Sequence, residues 1–89
     1  MPKWSLVFTL EARDDFKKLS ESLQKRISDR LNWLQNSFDG IIPSALTGEW
    51  RGFFKLRVGD WRVIYKVEWG KSLIIVYIID RRDKIYKKR

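Results

Sequence analysis

The sequence predicts an α+β domain in the order β-α-α-β-β-β, with an N-terminal helical hairpin packed on a mainly antiparallel four-stranded sheet. Three observations predict it. Apolar residues recur at helical spacing between residues 12 and 38, two alternating runs flank Gly59-Asp60, and residues 73–79 form an unbroken apolar run. A chain of 89 residues has room for a single domain, 1–89, with one modest core.

Trp4 to Phe8 reads as a short strand, with Trp4, Leu6 and Phe8 alternating against Ser5 and Val7. Thr9 is placed to N-cap a first helix whose Ala12, Phe16 and Leu19 form one stripe. Ser20 is placed to cap a second, with Leu23, Ile27, Leu31, Leu34 and Phe38 on one face and Lys25, Arg26, Asp29 and Arg30 on a solvated one. Gly40 and Pro43 end it. Residues 48–52 read as a turn region. Phe53–Val58 and Trp61–Val67 then flank Gly59-Asp60, and Gly in the first loop position suits a two-residue type II′ turn. After a looser turn over 68–71, Leu73–Ile79 has no polar face and is expected to be a central strand buried on both sides. The tail from Asp80 is mostly charged, with Ile85 and Tyr86 its only apolar bodies.

Composition excludes several chemistries. The chain has no cysteine and no histidine, which rules out disulfides, thiolate or imidazole metal sites and histidine acid–base catalysis. No carboxylates cluster at metal-ligand spacing; Asp80 and Asp83 read as partners for nearby arginines, and neither a metal nor a cofactor is expected. The start, Met-Pro-Lys-Trp-Ser, lacks a signal-peptide pattern, and the longest apolar run is seven residues, far short of the roughly 20 that span a bilayer. The expectation is a soluble, cytoplasmic protein with no membrane partner.

The net charge of +8 is unevenly spread. Residues 1–50 hold seven Lys/Arg and seven Asp/Glu, whereas residues 51–89 hold twelve and four, so the whole excess lies in the second half. Such a surface suits a polyanion. A two-residue Gly59-Asp60 loop sets the hairpin register by counting: Val58 faces Trp61, Arg57 faces Arg62, Leu56 faces Val63, Lys55 faces Ile64 and Phe54 faces Tyr65. Phe54, Leu56, Val63 and Tyr65 then share a core face, and Phe53, Lys55, Arg57, Arg62, Ile64 and Lys66 share the other. Like charges directly opposite destabilise a hairpin, which is tolerable if solvent screens them or an anion occupies the site. That face carries four cations and no carboxylate, whereas a merely solubilising surface mixes signs. Phe53 suits either packing or stacking on a base. The five tryptophans read as packing or interface residues.

Leu46-Thr47-Gly48, the run Phe54-Lys55-Leu56-Arg57-Val58-Gly59-Asp60-Trp61-Arg62-Val63-Ile64-Tyr65, and the ending Asp80-Arg81-Arg82-Asp83-Lys84-Ile85-Tyr86 resemble the RelE/ParE toxin superfamily, over essentially the whole chain. That superfamily contains messenger RNA endonucleases and gyrase inhibitors. The resemblance to the RelE type implies a type II toxin that cuts messenger RNA in the ribosomal A site. By motif, Lys55 and Arg57 match the two basic sheet positions, Arg62 the arginine after the hairpin aromatic, and Arg82 and Tyr86 the C-terminal pair. Arg81 is the alternative to Arg82. Phe53, Lys66, Arg81, Lys87 and Lys88 are expected RNA contacts.

Attack of a 2′-OH on the adjacent phosphate needs a base, positive charge on the transition state and an acid for the leaving 5′ oxygen. Arg57, Arg62 and Arg82 supply the charge. Without histidine, the base falls to Lys55 or Tyr86. An ordinary ammonium or phenol, near 10, is a poor base at neutral pH, and neighbouring cations lower either value. Stacking on the base beside the cut is an alternative role for Tyr86, and the ribosome would supply substrate orientation. The resemblance further implies a neutralising RelB-like antitoxin as partner, with operator DNA as a target open to the complex. Two other readings remain: a ParE-like, non-nucleolytic gyrase inhibitor, and an RNA-binding module without catalysis.

Overall fold

The computed structural model describes residues 3–85. Strand β1 (Ser5–Phe8) leads into helices α1 (Leu10–Lys17) and α2 (Glu21–Ser37), followed by β2 (Ser44–Ala45), β3 (Phe54–Val58), β4 (Trp61–Glu68) and β5 (Leu73–Arg81). The sheet order is β1-β5-β4-β3-β2. Only β1, beside β5, runs parallel to its neighbour. The α+β class and the helical hairpin agree with the sequence reading, but the sheet has five strands rather than four. The extra one, β2, pairs Ser44 with Lys55 and Ala45 with Phe54. Two residues are too few to show a periodicity, and Pro43 just before them is compatible with a sheet edge.

Both predicted caps are in place. Thr9 Oγ1 accepts from Ala12 N at 3.1 Å and Ser20 Oγ from Leu23 N at 3.2 Å, satisfying amides that each helix leaves unpaired. The stripes of α1 and α2 pack on one sheet face. Ala12, Ile27, Leu31, Leu34 and Phe38 from the helical half meet Leu56, Val63, Tyr65, Ile74, Val76 and Ile79 from the sheet. Trp4 closes one end. Its ring meets Phe38 at 4.7 Å and Trp69 at 5.8 Å, and its Nε1 donates to Asp39 Oδ1 at 2.8 Å.

Helix α1 also seals the β5 edge beyond the end of β1. Thr9 N donates to Val76 O at 3.0 Å, Thr9 Oγ1 to Tyr77 O at 3.3 Å, and Ile79 N donates to Asp15 Oδ2 at 3.0 Å. Edge groups that would invite another strand are thereby occupied.

The hairpin has the counted register, from Val58 opposite Trp61 to Phe54 opposite Tyr65. Gly59 has φ +60°, and Asp60 is not among the residues of positive φ, as a type II′ turn requires. Between β4 and β5 the register slips: Ile64 faces Ile78 but Tyr65 faces Val76, leaving Tyr77 as the extra residue of a bulge. β5 is an interior strand between β1 and β4, but it is not buried on both sides along its length: Leu73, Ile75 and Tyr77 are only half-buried. Ile74, Val76 and Ile79 enter the main core, while Ile78 joins Ile64 and Ile85 in a second cluster on the other face. Among the described residues, no helix is long and apolar enough to cross a membrane.

Gly59→Ala forces a side chain into positive φ, and its Cβ would lie 2.8 Å from Arg26 Nη2; a loss of about 1–2 kcal/mol is expected in urea unfolding. Burial pushes the Tyr65 phenol up from 10.0 to about 12. From pH 10 to about 12 the unfolded chain releases this proton while the native state keeps it, so stability falls as pH rises through that window. Urea midpoints of Tyr65→Phe should drop less over the same interval than those of the unsubstituted protein; parallel curves would refute the assignment.

Candidate nucleic-acid interface

Alternation along β3 and β4 turns Lys55, Arg57, Arg62, Ile64 and Lys66 toward the sheet face opposite the helices. That face has two parts. At its centre Ile64, Ile78 and Ile85 are buried, with Leu46, Trp50, Phe53 and Tyr77 packed around them. Nearer the hairpin tip it is open, and there Arg57 and Arg62 stand directly opposite each other.

The cations of this face are held in different ways. Arg62 folds back on the loop, its Nη1 donating to Gly59 O at 2.9 Å and Trp61 O at 2.8 Å. These two carbonyls accept from the Arg62 guanidinium and offset part of its positive charge. Arg57 is exposed, and no hydrogen bond or ion pair among the described residues takes up its guanidinium. Lys55 is half-buried, between Ile64 on one side and Ser44 of β2 on the other. Lys66 lies 4.7 Å above the Phe53 ring and 5.9 Å from that of Tyr77, a cation–π arrangement. Phe53 is itself wedged edge-on between Trp50 at 5.4 Å and Tyr77 at 5.3 Å. Its packing role is therefore filled, and its ring is already engaged by a cation.

The C-terminal arginines meet the same hairpin. Arg82 N donates to Asp60 O at 2.9 Å, which ties the turn after β5 to the loop between β3 and β4. The Arg82 side chain is exposed. Arg81 instead pairs with Asp83, Nε to Oδ1 at 3.5 Å, so among the described residues Arg82 rather than Arg81 has its guanidinium outside an ion pair. Buried Ile85 anchors the end of the described chain beneath this face. Tyr86, Lys87 and Lys88 lie outside the described residues.

The expectation of a face without carboxylates holds for the hairpin but not for the sheet. β5 brings Asp80 into register with Arg62. Asp80 is half-buried and its Oδ1 accepts from Arg81 N at 2.7 Å. Hairpin counting could not reveal it, because the β5 register depends on the bulge at Tyr77. A further element of negative charge borders the aromatic part. An open cleft of about 1180 Å³ is lined by four carboxylates, Glu11, Asp14, Asp15 and Glu49, and one cation, Lys18, around Trp50, Phe53 and Tyr77. Its carboxylates disfavour phosphate, so a polyanion is directed to the hairpin half of the face.

Two helices on one face of such a sheet, with a cationic hairpin on the other, make the RelE-like toxin fold. The chain superposes on a chain of the toxin–antitoxin complex RelBE2 from Mycobacterium tuberculosis with a TM-score of 0.79 at 23% identity, covering 92% of this chain and 93% of that one. For the isolated RelE toxin of E. coli the TM-score is 0.74 at 20% identity, over 96% and 93% of the two chains. For the archaeal RelE–RelB complex of Pyrococcus horikoshii it is 0.71 at 20% identity, over 90% and 96%. No curated protein matches the sequence. The family model of the ParE toxin of the type II toxin–antitoxin system parDE matches residues 6–85. The chain belongs to this toxin family, within the RelE/ParE superfamily.

The juxtaposition of Arg57 and Arg62 has a measurable cost. Opposed like charges destabilise a strand pair by about 0.2–1 kcal/mol. Arg57→Thr, which keeps a good strand former, should raise the urea midpoint by an amount corresponding to about 0.5 kcal/mol. An unchanged or lowered midpoint would mean that screening and the folded-back Arg62 already cancel the repulsion.

Proposed function

We propose that this toxin is a metal-independent endoribonuclease that cuts messenger RNA in the ribosomal A site by 2′-OH attack and so stops translation. The observation that carries the reading is the convergence of Arg57 and Arg62, opposite each other on the open face, with Arg82 tied through its backbone to the same loop. The guanidiniums of Arg57 and Arg62, joined by that of Arg82 if its exposed side chain turns to the same face, would suit the extra negative charge of a phosphorane-like transition state. Lys55, two residues from Arg57 on the same face of β3, or Tyr86 takes the 2′ proton, and Arg82 assists departure of the 5′ oxygen. Lys66, Phe53, Arg81, Lys87 and Lys88 are the proposed further RNA contacts.

Such a set lacks a strong acid–base pair, so the ribosome is assigned the work of orienting the substrate. The proposed partner that holds the toxin inactive is a RelB-like antitoxin; the structural relatives include a RelE–RelB complex and the toxin–antitoxin complex RelBE2. An acidic segment of that partner would neutralise Arg57, Arg62 and Arg82, and the complex is a candidate for operator DNA binding. A soluble, cytoplasmic protein of one domain, 1–89, fits this role.

A second reading has its own support. The matching family model is that of ParE toxins, the branch with gyrase inhibitors, and a cationic surface also suits a non-nucleolytic inhibitor.

Primer extension on a defined message in a purified translation system separates the two. Ribosome-dependent cuts at fixed codon positions are expected with the unsubstituted protein. Arg62→Ala should lower their rate by about 10²-fold or more, the usual effect of deleting one transition-state donor, and Arg82→Ala/Tyr86→Phe should abolish them. Intact message with normal translation, together with loss of DNA supercoiling by gyrase, would replace this reading with the second.

A further inference from the structure

The cations of α2 look at first like one solvated stripe, but the structure sorts them. Lys25 pairs with Asp29, Nζ to Oδ2 at 3.6 Å, one helical turn away. Arg30 lies over the Trp33 ring at 4.4 Å. Arg26 does neither. Its guanidinium reaches across to the β3–β4 loop, so close that a Cβ on Gly59 would lie 2.8 Å from Nη2, 3.7 Å from Cζ and 3.9 Å from Nη1. The glycine is required for its positive φ, and the bare backbone there is where the exposed, flexible Arg26 side chain comes to rest.

The same two-residue loop is held by two other arginines. Arg62 Nη1 donates to Gly59 O, and Arg82 N donates to Asp60 O. Arg26 approaches from the helix side of the sheet, while Arg62 belongs to the open face. The loop has one carboxylate, that of Asp60, and neither it nor Arg26 forms an ion pair among the described residues. Two guanidiniums, those of Arg26 and Arg62, meet at Gly59 against the single carboxylate of Asp60, and a phosphodiester passing over the turn would balance the remaining positive charge.

We infer that Arg26 is an RNA-binding residue that carries the phosphate-binding surface around the hairpin tip from the open sheet face to helix α2. A single-stranded RNA whose scissile phosphate sits at Arg57 and Arg62 then continues across Gly59-Asp60, and Arg26 contacts a flanking phosphate. This rests on the ribonuclease reading for the choice of RNA as ligand. Arg26 touches no reacting atom in this arrangement; its contribution is to grip and register the strand.

The test is binding of a labelled 2′-O-methyl oligoribonucleotide, which 2′-OH attack cannot cleave, followed by anisotropy over a range of salt concentrations. For single strands each phosphate contact contributes about 0.7 to the slope of log K against log salt. Arg26→Ala should reduce the slope by about that amount and weaken binding several-fold at low salt. Arg26→Lys should retain the slope. Arg30→Ala, which removes the same charge one turn further along α2, should leave it unchanged. An Arg26→Ala slope equal to that of the unsubstituted protein would overturn the inference while leaving the ribonuclease reading standing. Equal losses in Arg26→Ala and Arg30→Ala would also overturn it, by reducing the effect to overall charge. Failure of the unsubstituted protein to bind the oligonucleotide in a salt-dependent way would overturn the inference and weaken the ribonuclease reading with it.

Discussion

The two-residue turn at Gly59-Asp60 is the constraint on which the rest of the sheet depends. Side chains along a strand alternate, so a slip of one residue would exchange the two faces of the hairpin. Leu56, Val63 and Tyr65 would leave the core, and Arg57 and Arg62 would be driven beneath the helices. Burial of those apolar groups therefore enforces the register, and the register in turn exposes the cations. Packing on one face and charge on the other are one decision made at a single turn. Gly59 makes that turn possible by accepting φ +60° without a side chain.

A face with this much positive charge needs local relief, and the structure supplies it in several forms. Arg62 turns back on loop carbonyls, Lys66 rests on aromatic rings, Arg81 pairs with Asp83, and β5 sets Asp80 opposite Arg62. What stays open is concentrated near the hairpin tip, around Arg57, Arg82 and Arg26. Residual repulsion in that place is the kind of local cost a protein keeps where a ligand of opposite charge will bind. The acidic rim of the neighbouring cleft sharpens the contrast by making the other half of the face unwelcoming to phosphate.

The end of the chain is drawn into the same construction. The backbone of Arg82 is tied to Asp60, and Ile85 is buried beside Ile64 and Ile78. Residues more than twenty positions apart in sequence are thereby held around one loop. The second, small core is thus a positioning device: it gives the C-terminal turn a defined place relative to the hairpin without adding to the packing beneath the helices.

Much of this was legible in the linear order of residues. The caps at Thr9 and Ser20, the stripes of both helices and every pair of the β3–β4 hairpin follow from local rules, because each depends on residues a few positions apart. The opposition of Arg57 and Arg62 was legible for the same reason. Strand β2 was not, since two residues carry no period and pair only because β3 offers an edge. Asp80 was hidden by the Tyr77 bulge, which shifts which β5 residue meets Arg62. Arg26 read as one more solvated helix cation, because nothing local distinguishes it from Arg30; only the packing angle of α2 against the sheet brings it to Gly59. Local periodicity and turn chemistry suffice for the faces of this protein, whereas the partners that meet across those faces are set by long-range docking, which no short stretch of sequence encodes.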